Sequence, residues 1–183
     1  MAQQIVRVGN FGLVKVWIDD DFGVSNVKAG EKCSSQRVRG MISDKENTKI
    51  IIEYGLNGNV SSYGLLGIEY LSAINNDILD VNVFYQSQNE DKTVFKESLS
   101  MDKANAGLLE EYLEFVLEES LEIIQTNKSI PAGQINFLYA ANSPVYSSGN
   151  VYKKIVRILL EILCLNKKHI DEIAIIDIVK RNI

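Results

Sequence analysis

Apolar positions along this chain recur with two periods, and the alternation between them lays out the elements. Val14, Val16 and Ile18 alternate with Lys15 and Trp17, so Gln4 to Ile18 reads as a bent strand or hairpin with Gly9-Asn10 or Gly12 at its turn. Lys49 to Tyr54 carries Ile50-Ile51-Ile52, a continuous β-branched run of the kind buried on both faces of a sheet. Tyr63 to Ile74 spaces Leu65, Leu66, Ile68, Leu71 and Ile74 as a helix that Gly64 and Gly67 weaken by propensity. Ile78 to Tyr85 alternates as a strand, and Asn89-Glu90-Asp91 turns it into Thr93 to Ser98 as an antiparallel partner.

The second half opens on a long helix from about Lys103 to Thr126, capped by Ser100 or Asp102, with Leu109, Tyr112, Leu113, Val116, Leu117 and Leu121 as its stripe. A buried strand, Ile135 to Tyr139, a polar turn, Ala140 to Asn150, and an amphipathic helix, Val151 to Leu165, follow. Ile170 to Val179, rich in isoleucine, reads as a terminal strand. The strand-turn-helix unit has a fainter copy upstream: Ile50 to Tyr54 also ends in tyrosine, Asn57 stands three residues later, and Val60-Ser61-Ser62 echoes Val145-Tyr146-Ser147-Ser148. The expected fold is therefore α/β, a Rossmann-like core of duplicated strand-turn-helix units with a β-hairpin. One domain of 183 residues is expected, with lobes of about 1–99 and 100–183 allowed.

Composition narrows the function classes. A hydrophobic fraction of 46% and a charged fraction of 23% are globular values, and a net charge of −5 sets aside a general nucleic-acid coat. Cys33 and Cys164 make no disulfide framework, and Met-Ala-Gln-Gln lacks the character of a signal peptide. A cytoplasmic protein that does not span a membrane is expected.

In an open α/β sheet, ligands sit beyond the carboxyl ends of strands, where helix N-termini point free amides outward. Asn142, Ser143, Tyr146, Ser147, Ser148 and Asn150 supply hydroxyls and amides at such an end, with Lys153, Lys154 and Arg157 on the following helix. Asn57, Gly58, Asn59, Ser61 and Ser62 offer the same groups upstream. Asn57, Ser61, Ser62, Asn142, Ser147, Ser148, Lys153, Lys154 and Arg157 are the candidate ligand-binding residues, and helix capping is the plainer role for the serines and asparagines. No phosphate-binding glycine fingerprint accompanies them.

Candidates for other chemistry are fewer. Asp19-Asp20-Asp21 suits a solvated turn better than a hard cation. His169 with Asp171 lacks a third metal ligand, and Cys164 falls in an apolar stripe, so neither a metal nor a catalytic residue is assigned and no cofactor is expected. The polar segment 23–48 carries Arg37 and Arg39, which point the same way if extended. The six glutamates Glu110, Glu111, Glu114, Glu118, Glu119 and Glu122 read as the solvated face of their helix.

The helix from Leu108 to Ile124, the strand Gln134-Ile135-Asn136-Phe137-Leu138-Tyr139-Ala140-Ala141, Ser143-Pro144 and the helix after Gly149 resemble the C-terminal half of SAVED domains. These are relatives of the CARF sensors of antiphage and CRISPR-associated systems. That resemblance implies recognition of a nucleotide or oligonucleotide messenger, with the two turns as its site. The same stretch also resembles domain IV of elongation factor G, where a strand, a loop with Val-Asp-Ser-Ser and a helix stand in the order of Val145-Tyr146-Ser147-Ser148 and its helix. A small-ligand binding module is thus the first expectation. A protein-interaction or assembly subunit, with a protein partner or as a homo-oligomer, and an RNA-contacting factor are the alternatives, with Thr93 to Ser98 or Ile173 to Val179 as the exposed edge of the interaction subunit.

Overall fold

The computed structural model describes residues 4–8, 12–20, 27–57, 61–73, 76–87, 94–95, 98–165 and 171–183. In chain order these form β1 (Gln4–Val8), β2 (Gly12–Ile18), β3 (Lys32–Arg39), β4 (Thr48–Leu56), β5 (Ser62–Ser72), β6 (Ile78–Tyr85), β7 (Val94–Phe95), β8 (Ala104–Ala106), α1 (Glu110–Thr126), β9 (Gly133–Asn142), α2 (Gly149–Cys164) and α3 (Glu172–Arg181). The strands make one sheet ordered β1-β2-β4-β5-β9-β6-β3, with β8 beside the end of β9 and β7 beside β8. Among the described strands only β6 and β9 pair in parallel. The chain is thus mixed α/β, with a mostly antiparallel sheet. β9, from the second half, lies between β5 and β6, from the first.

The hairpin over Gln4 to Ile18 and the strand over Ile78–Tyr85 lie where alternation places them, and the strand over Lys49–Tyr54 lies where its continuous β-branched run does. Tyr63 to Ile74 does not form the expected helix: its described residues are strand β5, and Ile74 lies outside the described residues. The segment is apolar at nearly every position, so its period was ambiguous; in the sheet, Leu66, Ile68 and Tyr70 face the helices while Tyr63 and Leu65 face the opposite core. Gly64 is a packing requirement: a Cβ there would stand 2.9 Å from Val151 Cγ1 of α2. The upstream strand-turn-helix copy is therefore a β-hairpin, β4 to β5.

Three further expectations are corrected. Ile173 to Val179 belongs to helix α3, because Asp171 caps Ala174 N at 2.8 Å, Lys180 and Arg181 sit in the last turn, and Ile175, Ile178 and Val179 bury at i, i+3 and i+4. Of Thr93 to Ser98, the described residues Val94–Phe95 pair with β8, and the antiparallel partner of β6 is β3, out of the polar segment 23–48. Helix α1 also starts later than about Lys103. Ala104–Ala106 adds to the end of β9, and Gly107, at φ +112°, donates its amide to Ala140 O at 2.7 Å before the helix begins.

α1 and α2 cover one face of the sheet, and α3 flanks α2. α2 is buried nearly all round, through Val151, Tyr152, Ile155, Val156, Ile158, Leu159, Leu160, Ile162 and Leu163, because the sheet lies beneath it and helices lie on both flanks. A smaller core on the other face gathers Trp17, Val27, Ile51, Tyr63, Leu65, Ala104, Ala106 and Ala141.

Candidate functional site

β9 reaches the polar turn through a bulge. Its register against β5 shifts between Gly67 and Ile68, leaving Leu138 as the extra residue, so Tyr139 and Ala141 turn to the face away from the helices. Beyond Asn142 the turn closes on itself. Ser147 Oγ accepts from Ser143 N at 2.8 Å and donates to Tyr63 O at 2.9 Å. Ser143 Oγ accepts from Tyr146 N at 3.1 Å, and Asn142 Nδ2 donates to Gly107 O at 3.0 Å. Tyr63 N donates to Tyr146 O at 2.9 Å, and Tyr152 OH donates to Ala141 O at 2.9 Å. Burial pushes the Tyr152 phenol far above its ordinary range, and holds that of Tyr112, whose ring lies 4.8 Å from it, at about 12.

These bonds bring part of the candidate set together. Through Tyr63 the start of β5, with Ser61 and Ser62, lies beside Ser147. Ser148 is the exposed N-cap of α2, whose carbonyl takes Val151 N at 3.1 Å while its side chain makes no cap bond. Asn57 is exposed at the end of β4, and Gly58, Asn59 and His169 lie outside the described residues.

The cations of α2 turn elsewhere. Arg157 Nε meets Glu119 Oε1 at 2.5 Å, and Lys153 Nζ stands 3.5 Å from Glu118 and 3.9 Å from Glu119. Lys154 Nζ donates to Ile183 O at 3.2 Å, 5.8 Å from the Tyr54 ring centroid. Glu119, which the helical pattern placed on a solvated face, is buried and serves as the anchor between α1 and α2. Its missed signal is the pair of cations four residues apart, Lys153 and Arg157, on the facing helix.

A second arrangement lies on the sheet face away from the helices. Lys49, Glu69, Asn136, Asn82 and Ser35 are cross-strand neighbours on β4, β5, β9, β6 and β3, so one polar row crosses five strands. Asn82 Nδ2 donates to Asn136 Oδ1 at 2.8 Å, and Tyr139, re-aimed by the bulge, hydrogen-bonds Glu69. The signal was a polar residue set inside each of the apolar strands β4, β5, β6 and β9, a pattern that shows as a row only once register is known. Next along the face stand Leu71, Gln134, Asp80 and Arg37, where Arg37 Nε pairs with Asp80 at 2.7 Å.

Glu53 is wholly buried near the other end of this face. Oε1 accepts from Leu99 N at 2.7 Å and from Tyr63 OH at 3.3 Å, and Oε2 lies 3.1 Å from Lys15 Nζ as an ion pair outside hydrogen-bond geometry. Desolvation raises its pKa and outweighs the lowering by Leu99 N and Lys15.

Among the described residues, no three His, Cys, Asp or Glu side chains cluster to hold a metal ion. Asp19 of the triple aspartate ties the end of β2 to the start of β4, its Oδ1 accepting from Thr48 Oγ1 and Lys49 N at 2.9 Å each. Burial pushes the Cys164 thiol up to about 11, away from thiolate chemistry, and Cys33 is exposed on β3. No described helix is long and apolar enough to cross a membrane.

The fold and site define a two-layer mixed α/β module: a sheet with helices on one face, a self-bonded turn at one end and an edge strand whose outer side pairs with no described residue. Comparison with protein-family models, curated proteins and solved structures finds no significant match to this chain.

Proposed function

We propose that this protein is a protein-interaction or assembly module that engages its partner at the β3 end of the sheet. One observation carries this. Large apolar side chains stand uncovered there: Met41 is 44% exposed and Ile42 62%, just after β3, Ile78 is 40% exposed on the adjacent β6, and Leu71, 42% exposed on β5, lies in the cross-strand row that runs through Gln134 and Asp80 to Arg37. Uncovered apolar clusters rimmed by polar groups mark interaction surfaces. The test pans a random peptide library on the whole chain and maps the binders by hydrogen exchange. Binders that protect this end of the sheet, and weaken with Ile42→Asp, are expected. Binders that protect only other surfaces, or none at all, would overturn the proposal.

A second reading, a nucleotide messenger held at the turns, is favoured by the meeting of Ser61 and Ser62 with Ser147 around Tyr63. It is also what the SAVED-like resemblance implies. A thermal-shift screen with mono-, di- and cyclic oligonucleotides decides it, since ligand at 100 times its dissociation constant adds about 2.7 kcal/mol. A shift abolished by Ser148→Ala and by Ser62→Ala would establish this reading; a flat screen would remove it.

A further inference from the structure

Strand β3 ends the order of the sheet, and no described residue pairs with its outer edge. Its eight residues are exposed at every position except Ser34 and Val38, which are intermediate. Such an edge is a template for another strand unless something blocks it. β3 lacks the proline and bulge that would block it, and its pairing with β6 is regular from Lys32 to Arg39.

The layer above this edge is also open. α1 lies over β6, with Val116, Ser120 and Ile124 buried beneath it, and turns Tyr112 and Glu119 toward α2. Helical spacing then puts Leu117 and Leu121 on the flank toward β3, and Lys128 follows in the turn after the helix. A hollow of about 400 Å³ opens between the two, floored by Val38, Ile124 and Ile130 and rimmed by Arg39, Met41 and Lys128. A strand laid on β3 would send alternate side chains under this flank and the rest to the other face, beside Arg37 and Arg39.

Charge selects the occupant. In a chain of net charge −5, β3 carries Lys32, Arg37 and Arg39 and no acid. Asp80 and Asp77, paired with Arg37 and Arg39 at 2.7 and 3.6 Å, answer two of these cations from the β6 side. A second copy of β3 would double the cations along one ribbon, so self-pairing is disfavoured.

We infer that β3 accepts an extended segment of a partner protein in which aliphatic and acidic residues alternate. The aliphatic side chains cover Leu117, Leu121 and the hollow, the acidic ones face the arginines, and the main chain completes the β3 ladder. Recognition by strand addition of this kind draws affinity from main-chain bonds and specificity from alternate pockets. The inference rests on the interaction reading proposed above and names its partner.

The test uses the whole protein and synthetic eight-residue peptides matched to the length of β3. A peptide alternating valine and aspartate is expected to bind and to slow amide exchange in β3. Binding should weaken about ten-fold or more when alternate peptide amides are N-methylated, since each lost main-chain bond is worth on the order of one decade. It should weaken again with Leu121→Glu or Arg39→Glu, and with added salt. Equal binding of the N-methylated peptide, equal binding of a valine-lysine peptide, or dimerisation of the chain through β3 would overturn the inference. If library-selected peptides bind at Ile42 and Leu71 while the valine-aspartate peptide does not, the interaction reading stands and this inference falls.

Discussion

Two pairs of serines in this molecule, one at the turn after β9 and one on β3, are used in opposite ways. At the turn after β9, Ser143 and Ser147 lie under the chain, bonding its amides and the carbonyl of Tyr63, and with Tyr152 they lock strand to helix. On β3, Ser34 is half-buried and Ser35 exposed, on a strand whose outer edge pairs with no described residue. Buried polar groups with partners specify one arrangement; exposed ones keep an edge soluble. The turn end is thus a closure device, and the β3 end is where the molecule remains unfinished.

The largest effect that would break this contrast is at Tyr152, fully buried and stacked near Tyr112. Tyr152→Ala should cost about 3–5 kcal/mol in denaturant unfolding, whereas substitutions on β3 should remain near wild type. A small loss at Tyr152 would mean the closure is not structural. Next, Ser147→Ala removes an acceptor for Ser143 N and a donor to Tyr63 O, and should cost about 1–3 kcal/mol. Its neighbour Ser148, whose side chain makes no cap bond, should tolerate alanine within about 0.5 kcal/mol. Equal effects at the two serines would contradict the geometry.

A third effect sharpens the contrast by pH. Glu53 sits in the closed region, and burial raises its folded pKa above the ordinary 4.5. The folded state therefore holds its proton more tightly than the unfolded state. The associated stability is fully present below the unfolded value and is lost as pH rises through the folded one. Glu53→Gln carries no such titration, so its stability relative to wild type should improve as pH climbs through that window. Urea titrations at successive pH values would show it, and a flat or opposite difference would mean that Lys15 and Leu99 N outweigh burial.

What the sequence made legible follows from how local each signal is. The β1–β2 hairpin, β6 and helix α2 were readable from a clear period, and β4 and β9 from short apolar runs set between polar boundaries. β5 was not, because Tyr63 to Leu71 is apolar on both faces, and a segment buried on both faces carries no period to distinguish strand from helix. α3 was lost to the β-branched isoleucines, although Asp171 and the spacing of Ile175, Ile178 and Val179 held the helical signal. β3 had no signal at all, since an edge strand exposed on both faces needs no apolar alternation. Of the candidate site, the turn's position was legible and its internal bonding was not. Whether a hydroxyl faces a ligand or the backbone of Tyr63 depends on a strand 80 residues away, as the separation of 84 between Ser147 and Tyr63 shows.

The smallest expected change in stability tests the β3 end most directly. Gln36 lies mid-strand opposite Val81, exposed, on the face that α1 leaves uncovered. Gln36→Val raises strand propensity and adds a methyl-bearing side chain near the α1 flank, yet buries little, so unfolding stability should change by less than about 0.5 kcal/mol. Its effect should appear instead in solution behaviour, because a polar, cationic edge is what holds back edge-to-edge pairing. Light scattering on concentrated variant and wild type should then show self-association in the variant alone, suppressed by the valine-aspartate peptide that competes for the same edge. If the variant gains stability but stays monomeric, the outer edge of β3 is already covered, and the contrast between a closed end and an open one fails at its open side.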